Sequence, residues 1–211
     1  MQPILKARRG AMLDRGANFL YCAAMLIWIT DILAFGYFGL ELFLSIRRRG
    51  RAPMKADDRG TLPIFWILIG GSCSIAFTLS HTLPAFGLEQ NLSIMLFADL
   101  LLITGMIIRI WAIVHLGRFF TVDVGIQNGH HVIDNGPYRY VRHPSYTGSL
   151  VALTGIACLT FNWLGFLLIL VCSAAAFAVR IQSEEKTLRE NLGQAYVEYS
   201  ERTKRLIPGV F

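Results

Sequence analysis

The residues best equipped for chemistry crowd into one stretch. Positions 129–148 carry His130, His131 and His143 with Tyr138, Tyr140 and Tyr146, interleaved with Gly129, Gly136, Pro137, Pro144 and Gly148. Tyrosine and histidine rings can stack on a base, glycine lets backbone approach a ligand closely, and backbone N–H groups can meet a carboxylate. That combination suits a pocket for a planar, charged small molecule. The same residue types also describe an interfacial aromatic belt with a Pro-capped helix start, and composition alone does not separate the two.

A second cluster follows downstream. Arg180 and Glu184 stand one helical turn apart, with Glu185 beside them. One reading is an anion-binding arginine next to a carboxylate that grips a ribose or an ammonium group. The other is a snorkelling arginine at a membrane boundary and two solvated glutamates, Glu185 pairing with Arg189. Asp99 and Arg109 lie inside another apolar run, either as functional intramembrane charges or as ion-pair partners of another helix. No HExxH or GxSxG motif is present. Cys22, Cys73, Cys158 and Cys172 all sit in apolar runs without a CxxC pair, so they read as small buried hydrophobes and no metal site is expected.

The elements that position these groups are membrane helices. Apolar residues make up 54% of the chain and charged residues 16%, against about 25% charge in an ordinary soluble domain. Residues 60–88 and 143–179 contain no Asp, Glu, Lys or Arg, and such stretches read as spans. These values exclude a disordered chain, a disulfide-stapled secreted module and a typical soluble enzyme. The net charge of +6 does not point to nucleic acid, because the basic residues flank apolar runs, where lipid head groups account for them.

The expected fold is all-α: a polytopic integral membrane protein forming a single domain over residues 1–211. About five spans are predicted, at 17–46, 62–81, 92–115, 146–160 and 163–180. The basic segment 1–16 resembles a signal-peptide n-region, but the run after it is too long for one, so 17–46 reads as a retained span. Residues 116–145 are polar and broken by Gly117, Gly125, Gly129, Gly136 and Pro137. As one helix, residues 143–179 would run about 55 Å, well beyond a bilayer core of about 30 Å. With Asn162 and Trp163 near the middle, they read as a C-terminal helical hairpin. In the tail, 181–211, Leu188, Leu192, Tyr196 and Tyr199 recur on one face of an amphipathic helix, which would lie on the membrane or cap the polar segment. Lys and Arg number six in 47–59, none in 82–91, three in 116–145 and five in the tail. This alternation places the 116–145 loop and the tail in the cytosol. It also places residues 1–16, with four basic residues, outside, against the same rule.

The run Gly136-Pro137-Tyr138-Arg139-Tyr140-Val141-Arg142-His143-Pro144-Ser145-Tyr146-Thr147-Gly148, followed by Arg180, Glu184-Glu185, Gly193 and Tyr196-x-x-Tyr199, resembles the C-terminal pattern of the isoprenylcysteine carboxyl methyltransferase family. The resemblance covers residues 116–208. It implies a membrane-embedded enzyme that uses S-adenosyl-L-methionine without a Rossmann domain. By that pattern the cofactor pocket uses His130, Val132, Ile133, Tyr138, His143, Pro144, Ser145, Tyr146 and Glu184, while Arg180 holds the substrate carboxylate. His131 falls on a variable position, and Asp134-Asn135 departs from the family's usual small hydroxyl pair.

The implied reaction is methyl transfer by in-line displacement from a sulfonium to a lipophilic acceptor, foremost the carboxylate of an isoprenylcysteine-like substrate entering from the bilayer. A carboxylate is ionised at pH 7, so no general base is needed. Alignment can contribute about 7–11 kcal/mol, and tyrosine faces near the sulfonium about 0.5–2 kcal/mol. Arg180 would orient the carboxylate through its fork. Two other readings remain: an NADPH enzyme like the membrane sterol reductases, which share a similar Arg-His-Pro motif, and a non-enzymatic scaffold or permeation protein with Asp31, Asp99 and Arg109 along a polar path.

Overall fold

A computed structural model describes residues 25–46, 55–56, 61–120, 125–126, 129 and 131–210. The basic segment 1–16, the first residues of the predicted 17–46 span and most of the 47–59 loop lie outside them. The described chain is helical: α1 (Met25–Ile46), α2 (Thr61–Thr82), α3 (Leu92–Leu116), α4 (Pro144–Cys158), α5 (Trp163–Leu192) and α6 (Gln194–Arg202). Two short segments, β1 (Lys55–Ala56) and β2 (Gly125–Ile126), pair antiparallel.

Among the described residues, four helices, α1, α2, α3 and α5, are long and apolar enough to cross a membrane. Their outward faces are greasy: Trp28, Phe35, Ile67, Ile107 and Val171 are all more than half exposed, which hydrocarbon accommodates and water does not. The fifth predicted span is the exception. With 15 residues, α4 is about 22 Å long, short of a bilayer core.

Glycine lets α4 pack so tightly that it needs no lipid face of its own. A Cβ on Gly105 of α3 would come within 2.5 Å of the Gly148 carbonyl oxygen, and one on Gly148 within 2.6 Å of the Gly105 carbonyl oxygen. Farther along, a Cβ on Gly155 would meet the Ala98 carbonyl oxygen at 2.6 Å. Small residues let backbones approach in this way where lipid supplies no hydrophobic drive between helices. Leu102, Leu153, Ile156, Ile169 and Phe177 fill the core around this crossing.

The helical hairpin is present with shifted boundaries. Pro144 stands in the first turn of α4, so the helix starts two residues before the predicted 146. The turn at 159–162 contains Phe161 at φ 45°, and Asn162 caps α5 by accepting from the Leu164 and Gly165 N–H groups, both at 3.0 Å. In the tail, α5 runs on without interruption until Gly193 adopts φ 57°. The four-residue face of the predicted amphipathic helix is therefore split, with Leu188 and Leu192 on α5 and Tyr196 and Tyr199 on α6.

The bundle has two polar ends. At one, Leu88 N–H donates to Phe161 O at 2.6 Å, tying the 83–91 connector to the hairpin turn. At the other lie the β1–β2 pair, the segment before α4, the end of α5, and α6. There α6 caps the polar segment rather than standing apart: Tyr199 Oη donates to Tyr138 O at 2.7 Å. Residues 203–206 run back across the start of α4. Arg142 N–H donates to Lys204 O at 2.7 Å, His143 N–H to Arg205 O at 3.0 Å, and Thr147 Oγ1 to Leu206 O at 2.8 Å.

Candidate active site

The site forms where α4 begins beside the point at which α5 leaves its apolar stretch. Residues 144–147 occupy the first turn of α4, and Arg180 and Glu184 occupy successive turns of α5. The Tyr146 hydroxyl links the two helices, donating to Glu184 Oε2 at 2.7 Å. The His143 ring stacks on Tyr146, with centroids 5.5 Å apart and planes 12° from parallel. Its Nδ1 lies 3.7 Å from Glu184 Oε2 and its Nε2 3.4 Å from Glu185 Oε1.

On the apolar side, Tyr146 meets Phe177 at 5.2 Å between ring centroids, and Phe177 meets Phe65 of α2 at 5.1 Å. The buried Arg180 guanidinium sits 5.8 Å over the Phe65 ring, within the range of a cation–π attraction. Arg180 is thus bounded by an aromatic wall on one side and by Tyr146 and Glu184 on the other. The Glu184 side chain keeps 31% of its surface exposed, so the polar side opens to water.

Below this cluster, Glu185 is buried and gathers cations. Arg142 Nε donates to its Oε1 at 3.0 Å, and Arg205 donates to both oxygens from Nε at 3.2 Å and to Oε2 from Nη2 at 2.9 Å. Arg142 also donates to the Ser200 and Thr203 carbonyls. One carboxylate therefore joins the pre-α4 segment, α5 and the C-terminal strap. Arg205 is held more firmly in its charged form by that partner. The sequence-level pairing of Glu185 with Arg189 is not what the fold uses; Arg142 and Arg205 hold the carboxylate instead.

The predicted cofactor residues divide into groups. His143, Tyr146 and Glu184 come together, with Arg180 beside them. Tyr138 is buried nearby, its hydroxyl donating to Ala112 O at 3.3 Å. Burial, and secondarily Glu184, raises that hydroxyl above the ordinary tyrosine range. Pro144 and Ser145 are buried in the scaffold, the Ser145 hydroxyl accepting from Arg109 Nη1 at 2.8 Å. Val132 and Ile133 are half-buried on the loop leading to Tyr138. His130 lies outside the described residues.

That loop is tethered by the two residues that depart from the family pattern. Asp134 accepts from Arg202 of α6 at 2.7 Å, and Asn135 Oδ1 bonds His115 Nε2 of α3 at 2.6 Å. His115 also fills the space over Gly136, where a Cβ would come within 2.5 Å of its ring; with φ at 55°, that position requires glycine.

Two of the intramembrane charges are paired across helices. Arg109 donates to Glu41 Oε2 of α1 at 2.6 Å and forms a second contact to Oε1. Asp99 accepts from Thr30 at 2.9 Å. Sequence reasoning left Glu41 unpaired and gave Arg142 and Arg205 no role. Arg142 adjoins His143 in the motif, which was a usable signal; nothing local marked Arg205.

Comparison with known proteins identifies the family. A model of the isoprenylcysteine carboxyl methyltransferase (ICMT) family matches residues 97–190. Protein-S-isoprenylcysteine O-methyltransferase B of Arabidopsis thaliana is 34% identical over 126 residues, covering 59% of this chain and 64% of that protein. A rice protein (Oryza sativa subsp. indica) named "Probable protein-S-isoprenylcysteine O-methyltransferase" is 32% identical over 205 residues, covering 93% and 98%. The solved eukaryotic intramembrane Ras methyltransferase ICMT superposes with a TM-score of 0.54 at 26% identity over 70% of this chain. The match spans 53% of that structure's length. With the family model matching residues 97–190 and a relative matched along almost its whole length at 32% identity, the chain belongs to the isoprenylcysteine carboxyl methyltransferase family.

Proposed function

We propose that this protein methylates a lipophilic acceptor, foremost the carboxylate of an isoprenylcysteine-like substrate, with S-adenosyl-L-methionine as donor. The observation that carries the reading is the Tyr146 hydroxyl, which donates to Glu184 at the edge of the Phe65–Phe177 wall where the Arg180 guanidinium sits. A carboxylate-bearing water-side pocket and an arginine at an apolar wall meet at one side chain.

The residues present suit such a donor. Glu184 with His143 offers acceptors for an ammonium or ribose hydroxyls, and the Tyr146 face suits a sulfonium. When bound, S-adenosyl-L-methionine supplies a methyl group on a positively charged sulfur, open to displacement by an ionised carboxylate. The protein's part is then positioning. Arg180, buried between aromatic rings, presents a rigid fork to the acceptor carboxylate. Glu184 and His143 fix the donor's polar end on the side open to water, and α6 with the 203–206 strap braces the segment that carries His143. An apolar chain attached to the acceptor can lie against Phe65 and Phe177 while its carboxylate reaches Arg180.

The site faces the cytosol in this reading. The β1–β2 pair at the site's end of the bundle includes Lys55, and the 116–145 segment and the tail, which meet there, carry three and five further Lys and Arg residues.

The test is incubation of purified protein in lipid with isotope-labelled S-adenosyl-L-methionine and N-acetyl-S-farnesylcysteine. A labelled base-labile methyl ester is expected. Label in a lipid of another class would move the acceptor assignment, and thermal protection by NADPH alone would replace the reaction.

A further inference from the structure

We infer that the turn at residues 207–210 seats in the membrane leaflet on the site's side, where hydrocarbon meets headgroups, so that lipid itself holds down the 203–206 strap. The inference does not rest on the methyl-transfer reading. The run Ile207-Pro208-Gly209-Val210 puts proline second and glycine third, and Gly209 takes φ 76°, the arrangement of a type II turn. Val210 N–H closes it by donating to Ile207 O at 3.1 Å. Such a turn brings its first and fourth residues together. Here both are apolar and open: Ile207 is 53% exposed and Val210 73%. The backbone suits apolar surroundings as well, because Pro208 has no N–H and the Val210 N–H is already used.

Two neighbouring helices fix the level of this turn. Leu206 O accepts from Thr147 Oγ1 at 2.8 Å, and the next residue, Gly148, packs on Gly105 of α3. From Gly105 to Val114, still 71% exposed on the greasy face, α3 runs about 13 Å farther toward the site's end. On α5, Phe177 meets Tyr146, and the first charge, Arg180, follows one turn later. One helix puts Leu206 within the apolar band and the other puts it at the edge, which together mark the boundary layer. The residues beside the strap belong to that layer. Val141 bridges to Lys204, and Arg139, Tyr140 and Lys204 are all exposed. Tyrosine rings favour the interface, and the two cations complement lipid phosphates there. Ile207 and Val210 then meet acyl chains. The strap just before them accepts from the Arg142 and His143 N–H groups, so the anchor steadies the segment that enters α4.

Wild-type protein supplies the first test. In liposomes of phosphatidylcholine and phosphatidylglycerol it is irradiated with a phosphatidylcholine carrying a diazirine near the carbonyl end of its acyl chain, then denatured and digested with trypsin. Cleavage after Arg205 releases residues 206–211 as one peptide, which is expected to carry a lipid adduct. No adduct there, when the peptide ending at Arg180 carries one, overturns the inference. A nitroxide at Val210→Cys, in a chain whose native cysteines are replaced by alanine, then reports depth in nanodiscs. It is expected to collide more often with oxygen than with a water-soluble nickel chelate, as a label at the lipid-facing Val171→Cys does and one at Glu201→Cys on α6 does not. Preference for the chelate means that water covers the turn, and spin coupling between two chains in one disc means that a second copy does; either overturns the inference. In the double variant Ile207→Asp with Val210→Asp, the His143 amide is expected to exchange with deuterium about tenfold faster or more than in wild type. An unchanged rate overturns the steadying of the strap by lipid.

Discussion

Arg109 on α3 donates to the Ser145 hydroxyl at the start of α4, 2.8 Å away, from inside the bundle. The same guanidinium holds Glu41 of α1. One buried cation thus fixes three helices and sets the register of the turn that presents Tyr146.

Removing one member of that set is predicted to cost more than removing two. Arg109→Ala leaves Glu41 as a buried charge without its partner, at about 3–5 kcal/mol. Glu41→Leu combined with Arg109→Met is expected to cost substantially less, because no charge is stranded. Thermal unfolding of both variants in detergent measures the difference. Equal losses would remove the pair from the account of how the bundle is held.

The glycine crossing makes a sharper prediction about shape. Gly105→Ala pushes a methyl group into backbone atoms 2.5 Å away and is expected to destabilise by about 1–3 kcal/mol. Gly70→Ala on α2, with nothing within 4 Å, is expected to change stability by about 0.5 kcal/mol or less. Melting temperatures of the two variants, compared under one condition, test the contrast.

Binding and turnover separate at the site. His143→Ala and Glu184→Ala are expected to weaken S-adenosylhomocysteine about tenfold or more in calorimetry. Arg180→Lys is expected to keep that affinity and lose most turnover, since an ammonium lacks the planar two-pronged contact. Wild-type turnover in Arg180→Lys would reduce Arg180 to a snorkelling residue.

The α6 cap carries a pH signature. Burial pushes the Tyr199 hydroxyl up to about 12 from about 10 in an unfolded chain. A proton held more tightly in the folded state gives stability that is complete below the unfolded value and is lost as pH rises through the folded one. Stability is therefore expected to fall between pH about 10 and 12. Tyr138 and Tyr196, also raised by burial, contribute in the same direction. Tyr199→Phe should make the decline shallower in pH-dependent denaturation curves, and an unchanged slope would exclude Tyr199 as a contributor.

Much of this molecule was legible in one dimension. Charge-free apolar runs marked the spans, because hydrocarbon tolerates no unpaired charge over that length. The Arg142–Gly148 motif and the Arg180–Glu184 spacing marked the candidate site, because one helical turn is a local property that a sequence displays directly. Asn162 marked the hairpin turn for the same reason. What stayed hidden was set by distance along the chain. Glu185 pairs with Arg142 and Arg205 rather than Arg189 because the strap at 203–206 folds back over α4, and no local pattern encodes that return. Gly105 and Gly148 are ordinary glycines in a helical run until two backbones are brought together. Arg109 is an anomalous charge until Glu41 stands opposite it. Local sequence determined which groups were available; burial in a shared interior, where each polar atom must find its partner, decided which of them meet.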